Sequence, residues 1–195
     1  MFYLINVEDI VRISPEKFSN TLENVALEAL RAKYEGLVSS DLGFVVGVIN
    51  AKVSSLGKII PGDGATHHIV SFALLSYYPE IQGIVEGEVV EVEDFGAFVR
   101  IGPLDALIHV SQLIDDFVSF DERQGVLIAK ETRRVLRRGD VVRARITAVS
   151  FAKGGASGKI GMTMRQPFLG KIEWIEDERN KEAKAAKRVT TAAKK

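Results

Sequence analysis

Residues 82–111 read QGIVEGEVVEVEDFGAFVRIGPLDALIHVS, and this stretch decides the fold of the second half of the chain. Apolar and polar residues alternate on both sides of the turn at Asp94-Phe95-Gly96, which predicts β-strands. In the first strand the glutamates change parity near Val89-Val90, as expected where a strand bends or carries a bulge. A short third strand ends at His109, and further alternating stretches at 141–149 and 159–165 bring the number of strands to five, which predicts a small closed β-barrel.

The strand that follows the turn holds the candidate nucleic-acid contacts. Ala97 and Val99 share one parity, and Phe98 and Arg100 share the other. A phenyl ring can stack on any unpaired base, so Phe95 and Phe98 are candidate RNA contacts. Packing of both rings inside the barrel is the alternative. The shared parity of Phe98 with Arg100 favours an outward ring at position 98.

The two later strands are predicted to alternate in the same way. Their inward side chains are expected to be Val142, Ala144, Ile146, Ala148, Ile160, Met162 and Met164. Their outward side chains are expected to be Arg143, Arg145, Lys159, Thr163 and Arg165. Between the third and fourth strands lies an insertion at about 112–138, for which we expect an extra hairpin or a short helix.

A run of basic residues closes the insertion and enters the fourth strand. It extends from Lys130 to Arg145 and includes Arg133, Arg134, Arg137, Arg138, Arg143 and Arg145. Within 130–145 only Glu131 and Asp140 oppose it, so we expect phosphate contacts and a salt-dependent affinity. Binding to the acidic surface of a protein partner is the competing use. His109 is a further candidate contact, with a structural role as its alternative.

The first 80 residues predict a separate α+β domain with an antiparallel sheet. We expect a strand at 2–13 and further strands around 42–53, 57–61 and 66–77. A helix is expected to begin at Ser14-Pro15 and to end before Gly36. Its apolar face would comprise Phe18, Leu22, Val25, Ala29 and Leu30. The turn Pro61-Gly62-Asp63-Gly64 would connect the last two strands.

Composition excludes several classes of function. The 26 basic and 26 acidic residues cancel, which argues against indiscriminate coating of nucleic acid. The absence of cysteine excludes disulfides, zinc–thiolate sites and thiol nucleophiles. His67 and His68 would point to opposite faces of a strand, so they predict no metal site. No catalytic centre or cofactor is indicated. Without a signal peptide or an apolar run of about 18 residues, we expect a cytoplasmic protein.

The DFGAFV motif and its flanks resemble the S-one-type RNA-binding domain, which has an OB fold. Over about residues 1–175 the chain is similar to a family of RNA polymerase subunits, the archaeal E-prime subunit and the seventh subunit of eukaryotic RNA polymerase II. The resemblance is carried by the start MFYLINVEDIVRISPEKF, by the middle GKIIPGDGATHHIVSFALLSYYPEIQGIVEGEVVEVEDFGAFVRIGPLDALIHVSQL and by the ending GKIGMTMRQPFLGKIEW.

This resemblance implies a truncated RNP-like domain at 1–80, an OB-fold barrel at 81–170 and a polar helical tail at 171–195. The implied protein is a non-catalytic stalk subunit of DNA-directed RNA polymerase. It would pair with a small helical RNA polymerase subunit, named F in archaea, dock on the polymerase core and bind emerging single-stranded RNA. A free-standing RNA-binding protein of translation or RNA decay is an alternative, and a nuclease with a barrel appendix is another.

The family's functional positions match particular residues of this chain. Its RNA-facing positions match Phe95, Phe98, His109 and Lys159, to which the basic pattern adds Arg100, Arg143 and Arg145. Ser150 stands where many such barrels carry an aspartate at the end of the fourth strand. The loop that docks on the polymerase core matches Gly57, Lys58, Pro61, Gly62, Asp63 and Gly64.

Overall fold

The computed structural model describes residues 1–151 and 159–180. These residues form two compact units. The first unit comprises residues 1–79 together with residue 151. The second comprises residues 80–150 and 159–180. None of the helices within these described residues is long and apolar enough to cross a membrane.

The first unit is a four-stranded antiparallel sheet with one helix against a face. Its strands are β1 (Phe2–Ile13), β2 (Val38–Ser39), β3 (Gly43–Ile59) and β4 (Thr66–Tyr77), in the order β1-β4-β3-β2. The helix is α1 (Leu22–Tyr34). The core between helix and sheet comprises Val11, Ile13, Val25, Ala26, Leu30, Val45, Val48, Val70, Phe72 and Leu74.

The prediction of where α1 begins was wrong. Residues Pro15–Lys17 form only a single 3-10 turn, and α1 starts at Leu22 after Thr21. The Ser14 side chain makes no capping hydrogen bond, and its hydroxyl accepts a hydrogen bond from Arg12 Nη1 at 3.2 Å. Phe18 therefore lies outside the helix and is exposed.

The end of the helix and most of the strand pattern follow the prediction. Gly36 has a φ of +78° and ends the helix, a conformation that glycine adopts without strain. The strands expected at 42–53 and 57–61 are one long strand, β3, whose pairing with β4 shifts between Ile49 and Lys52 and again between Val53 and Gly57. These bulges explain why the alternation is interrupted along β3.

The second unit contains the predicted five-stranded barrel. Its strands are β5 (Ile84–Glu93), β6 (Gly96–Ile101), β7 (Leu104–His109), β11 (Val141–Ser150) and β12 (Lys159–Thr163). They pair in the order β12-β7-β6-β5-β11, and β12 also pairs with β11, so the barrel closes. The pairing of β5 with β6 shifts between Val89 and Glu91, which confirms the predicted bulge.

The barrel confirms most of the predicted inward and outward positions and corrects one of each. Ala97, Val99, Ala144 and Ile146 are buried, but Ala148 is exposed. The pairing of β11 with β12 shifts between Ile146 and Ala148, so the parity of β11 changes before position 148. Thr163 is also buried, contrary to prediction, and its hydroxyl donates to the Gln112 carbonyl oxygen at 3.5 Å.

The insertion forms a small three-stranded antiparallel sheet. It comprises β8 (Val118–Asp121), β9 (Val126–Ala129) and β10 (Val135–Arg137), in the order β10-β9-β8. The expected extra hairpin is confirmed as β8 and β9, and β10 adds a third strand that the sequence pattern did not indicate. A 3-10 turn at Val110–Gln112 connects β7 to this sheet.

The chain after the barrel packs back on the second unit. Strand β13 (Gly170–Lys171) pairs with β11, and residues 172–180 are helical. The buried Lys171 ammonium contacts Asp140 at 3.0 Å and Glu173 at 2.7 Å. The Arg134 guanidinium lies 5.4 Å from the centre of the Trp174 ring. The rest of the predicted tail, at 181–195, lies outside the described residues.

Candidate nucleic-acid interface

Two phenyl rings mark one side of the barrel. Phe98 lies on the outer face of β6, between the buried Ala97 and Val99, and its side chain is partly exposed. Phe95, in the turn before β6, is 43% exposed. The ring centres lie 6.0 Å apart with an interplanar angle of 85°, an edge-to-face arrangement. The structure therefore presents both rings toward solvent.

Small and apolar residues continue this face across the neighbouring strands. Phe98 pairs with Leu107 on β7, Leu107 with Gly161 on β12, and Gly161 with Ala148 on β11. The four residues form a row across the outer face, because paired residues of adjacent strands share a face. Gly161 and Ala148 project little beyond the backbone, so the outer face is low beyond Leu107. The sequence-based list missed this row, although strand parity combined with the OB strand order could have found it.

His109 lies at the end of β7, opposite Gly96. Its Nδ1 accepts a hydrogen bond from the Ser111 amide at 3.2 Å and lies 2.9 Å from the Ser111 hydroxyl. Since an amide N–H can only donate, the proton of the neutral imidazole is on Nε2. The ring is exposed and oriented by Ser111, so Nε2 can donate to a base or a phosphate.

The predicted basic contacts fall into paired and unpaired groups. Arg100 donates from Nε and Nη2 to the two carboxylate oxygens of Asp105, at 2.9 and 3.1 Å. Arg143 donates from Nε and Nη2 to Glu86 Oε1, at 2.8 and 2.6 Å. Lys159 is exposed and forms no ion pair within residues 1–151 and 159–180. Arg145 Nε is buried and has no hydrogen-bond partner in the described part of the chain.

The arginines of β11 and the two rings lie at different places along the barrel. Arg143 pairs with Glu86 on β5, whereas Phe98 pairs with Glu91 on the same strand. Five residues of strand span about 17 Å. Lys159 lies two residues before Gly161 and therefore shares the outer face of the row that begins at Phe98. The structure thus brings Phe95, Phe98 and His109 together and puts Lys159 on the same outer face. Arg143 and Arg145, on β11, lie opposite Glu86 and Ile84, nearer the start of β5.

The predicted docking loop includes the turn that joins the end of β3 to the start of β4, and the Asp63 side chain holds this tip together. Arg12 donates from Nε and Nη2 to the Asp63 carboxylate at 2.8 and 2.7 Å, and the Ala65 amide donates to it at 3.2 Å. His67 Nε2 lies 3.2 Å from the same carboxylate. The Arg12 guanidinium, helped by the Ala65 amide, holds the pKa of Asp63 well below its usual range. The Asp63 side chain therefore organises the tip from within.

The other predicted tip residues have different environments. Pro61, Gly62 and Gly64 are exposed in the turn, and Gly62 has a φ of +91°. Gly57 is different, since a Cβ there would lie 2.5 Å from the imidazole of the buried His68. That imidazole is fixed by a 3.0 Å hydrogen bond between its Nδ1 and the Ser54 carbonyl oxygen.

Exposed aliphatic side chains surround the tip, and the sequence-based list missed them. Leu56 is 84% exposed, Ile59 is 72% exposed and Ile60 is 51% exposed. Such a concentration of aliphatic surface is typical of a protein interface rather than of a nucleic-acid contact. Among the described residues, no group of three or more histidine, aspartate or glutamate side chains could hold a metal ion.

Two known domain families match the chain, one within each structural unit apart from residues 78–79 and 151. Residues 8–64 match the SHS2 domain found in N terminus of Rpb7p/Rpc25p/MJ0397. Residues 78–161 match the S1 RNA binding domain. The observed sheet with one helix and the closed barrel therefore correspond to an Rpb7-type N-terminal domain followed by an OB-fold RNA-binding domain.

Individual relatives extend the similarity over nearly the whole chain. The DNA-directed RNA polymerase subunit Rpo7 of Saccharolobus shibatae is 43% identical over 90% of this chain and 97% of its own length. Rpo7 of Sulfolobus acidocaldarius is 44% identical over 94% of this chain and its full length. The RNA polymerase II subunit rpb7 of Dictyostelium discoideum is 24% identical over 88% of this chain and 99% of its own length.

Proposed function

The chain belongs to the Rpo7 family of archaeal DNA-directed RNA polymerase subunits, the counterpart of Rpb7, and from that premise we propose that it is a non-catalytic stalk subunit that binds emerging single-stranded RNA. In this proposal the first unit pairs with the small helical stalk partner and docks on the polymerase core. The barrel of the second unit holds the transcript.

The observation that carries the RNA-binding part is the outward Phe98 ring. The residues on either side of Phe98 in β6, Ala97 and Val99, are fully buried and face the core. Because successive side chains of a strand point to opposite faces, Phe98 points away from the core. It shares its face with Leu107 and lies edge-to-face with the exposed Phe95. A base can stack on Phe98 over the space beside Gly161, with Phe95 as the wall of the site.

Charge suggests on which side the RNA backbone passes. On the β5 side of Phe98 lie Glu91, its partner in the strand pairing, and Glu93. Both would repel a phosphate. On the β7 and β12 side lie His109 and Lys159, and Lys159 has no carboxylate partner in the described residues. We place the phosphates on this second side, where each neutralised phosphate contributes a salt-dependent part of the affinity.

The remaining basic residues play smaller parts in the proposed path. Arg145 Nε has no hydrogen-bond partner within residues 1–151 and 159–180, but it is buried, so a phosphate oxygen could satisfy it only if the surrounding side chains move. Arg100 and Arg143 would have to give up Asp105 and Glu86 before they could bind phosphate. We therefore expect these two arginines to contribute less than the sequence pattern indicates.

The tip of the first unit is the proposed contact with the polymerase core. Its aliphatic side chains Leu56, Ile59 and Ile60 supply the apolar surface, and the Arg12–Asp63 ion pair keeps the turn in one conformation. A preorganised loop loses little conformational entropy on binding, which favours a stable interface.

Co-purification tests this assignment directly. A tagged form of the chain, washed at high salt, should retain the polymerase core and a small helical protein, identified by mass spectrometry. High salt removes contacts bridged by nucleic acid, because those are the most salt-sensitive. Recovery of ribosomal or RNA-decay proteins without polymerase would favour the free-standing RNA-binding protein instead.

A further inference from the structure

The insertion sheet carries an exposed aromatic ring outside the barrel. Phe117 lies immediately before β8, and its side chain is 69% exposed. The Lys130 ammonium lies 4.4 Å from the centre of this ring, over one face. Lys130 comes directly after β9, and its amide donates to the Phe117 carbonyl oxygen at 2.9 Å. The exposure of the ring leaves its other face to solvent.

The loop that presents Phe117 is held rigidly by a single carboxylate. Asp116 accepts hydrogen bonds from the Thr132 amide and hydroxyl, both at 2.9 Å, and from the Phe117 amide at 2.6 Å. The Glu131 amide donates to it at 3.1 Å. The Thr132 amide, with the other donors, lowers the pKa of Asp116. The ring therefore projects from a fixed loop rather than from a loose one.

The segment between the barrel face and this ring is also fixed. Phe117 lies eight positions after His109 in the chain, which limits the distance between their Cα atoms to about 29 Å. The Met164 amide, after β12, donates to the Gln112 carbonyl oxygen at 2.8 Å. Arg165 donates to the Ser111 carbonyl oxygen at 3.4 Å and is ion-paired with Asp115.

Two basic residues of the insertion have no carboxylate partner among the described residues. Lys130 and Arg133 are exposed and form no ion pair within the part of the chain that the structure describes. In contrast, Arg134 is bound to Glu178 and lies over Trp174, so it is already occupied. An aromatic face beside unpaired cations is the combination that binds single-stranded nucleic acid.

We propose that Phe117, with Lys130 and Arg133, forms a second stacking site for single-stranded RNA, beyond the barrel face. The base stacks on the open face of the Phe117 ring, and the two cations neutralise adjacent phosphates. A hydrophobic protein contact would need a continuous apolar surface, whereas the strand residues 118–121 that follow Phe117 include Ser119 and Asp121. The inference rests on the proposed RNA-binding function and extends the RNA path.

RNA probes of two lengths distinguish binding at this site from binding at the barrel. Single-stranded sites on OB folds cover about 4–16 nucleotides, so oligouridylates of about 5 and about 15 nucleotides are suitable probes. Affinities of the full chain are measured by fluorescence anisotropy at fixed salt. We expect Phe117→Ala to weaken binding of the longer RNA about fivefold or more, as for loss of one stacked base. The shorter RNA should bind unchanged.

Matched variants make the result specific. Phe168→Ala removes a phenyl ring that is 59% exposed, and it should leave both affinities unchanged. Lys130→Gln should weaken binding of the longer RNA only, and should lower the salt dependence of that affinity. Phe98→Ala should weaken binding of both RNAs. The melting temperature of each variant, measured by circular dichroism, should match that of the parent chain.

Other outcomes overturn the proposal in distinguishable ways. If Phe117→Ala binds both RNAs normally while Phe98→Ala weakens both, the second site is refuted and the barrel site stands. If neither variant changes RNA binding, the proposed RNA-binding function fails as well. If Phe117→Ala binds RNA normally but no longer retains polymerase, the ring contacts protein rather than RNA.

Discussion

Phe98 on β6 lies directly opposite Leu107 on β7, and both side chains are on the outer face of the barrel. Gly161 continues the same row on β12. The row forms a shallow surface beside the turn DFGAF, with the Phe98 ring at one end and Gly161 farther along. In the proposed RNA site, a flat base would stack on this surface without the rearrangement that a packed core would require.

Lys159 and Arg143, two basic residues of the barrel, should respond differently to salt. Lys159 forms no ion pair within the described residues, so Lys159→Gln should lower the slope of log affinity against log salt by about 0.7. Arg143→Gln should change the slope much less, because the guanidinium is already bound to Glu86. RNA titrations at four salt concentrations measure both slopes. Equal reductions for the two variants would show that Arg143 exchanges its partner for phosphate.

The tip should respond to acid through Asp63. Its pKa is depressed in the folded chain, chiefly by Arg12, so its stabilising effect is complete above the ordinary value of 3.8. That effect is lost as the pH falls below this value. The parent chain should therefore lose more stability between about pH 5 and pH 3 than Asp63→Asn does. Melting curves across this range test the difference, with Asp94→Asn as an exposed control; equal losses would refute the role of the Arg12 contact.

A methyl group at Gly57 should destabilise the first unit. Gly57→Ala places a Cβ 2.5 Å from the His68 ring, which is buried and hydrogen-bonded and so cannot move freely. We expect a loss of about 1–3 kcal/mol, as for other overpacked sites. Gly47→Ala is the control on the same strand, because the nearest atom there is Glu35 Oε1 at 3.6 Å. Denaturant unfolding should show a loss only at Gly57.

A charge on the aliphatic tip should release the polymerase. Ile59→Glu replaces a side chain that is 72% exposed, so folding should be unaffected. Burial of the new carboxylate in an interface would be costly. Retention of polymerase by the tagged chain at high salt should drop sharply. Ile81→Glu changes a similarly exposed residue in the second unit and should retain polymerase. Full retention by Ile59→Glu would exclude this residue from the proposed interface.

The features that the sequence predicted well are those with local causes. The parity of Phe98, the bulge near Val89 and the end of α1 at Gly36 each depend on a few adjacent residues. The start of α1 was missed because the Ser14-Pro15 pattern opens only a 3-10 turn, and the exposure of Ala148 was missed because of a bulge that depends on pairing with β12.

Long-range pairing decided the rest of the candidate site. A basic run in the sequence does not reveal that Arg143 contacts Glu86, 57 residues earlier, or that Arg134 lies over Trp174. The position of Lys130 over Phe117 likewise follows from the alignment of β8 with β9. Alternation along a strand indicates a face, but only the fold indicates which charges on that face are already neutralised.

The outward position of Phe98 is tested most directly by measuring RNA affinity and stability in the same pair of variants. Phe98→Ala should weaken single-stranded RNA binding by about 1–3 kcal/mol, with a melting temperature close to that of the parent chain. Ile108→Ala, which removes a fully buried side chain on the neighbouring strand, should cost about 2–5 kcal/mol of stability. If Phe98→Ala instead loses as much stability as Ile108→Ala and binds RNA with the parent affinity, Phe98 belongs to the core and the proposed RNA site is wrong.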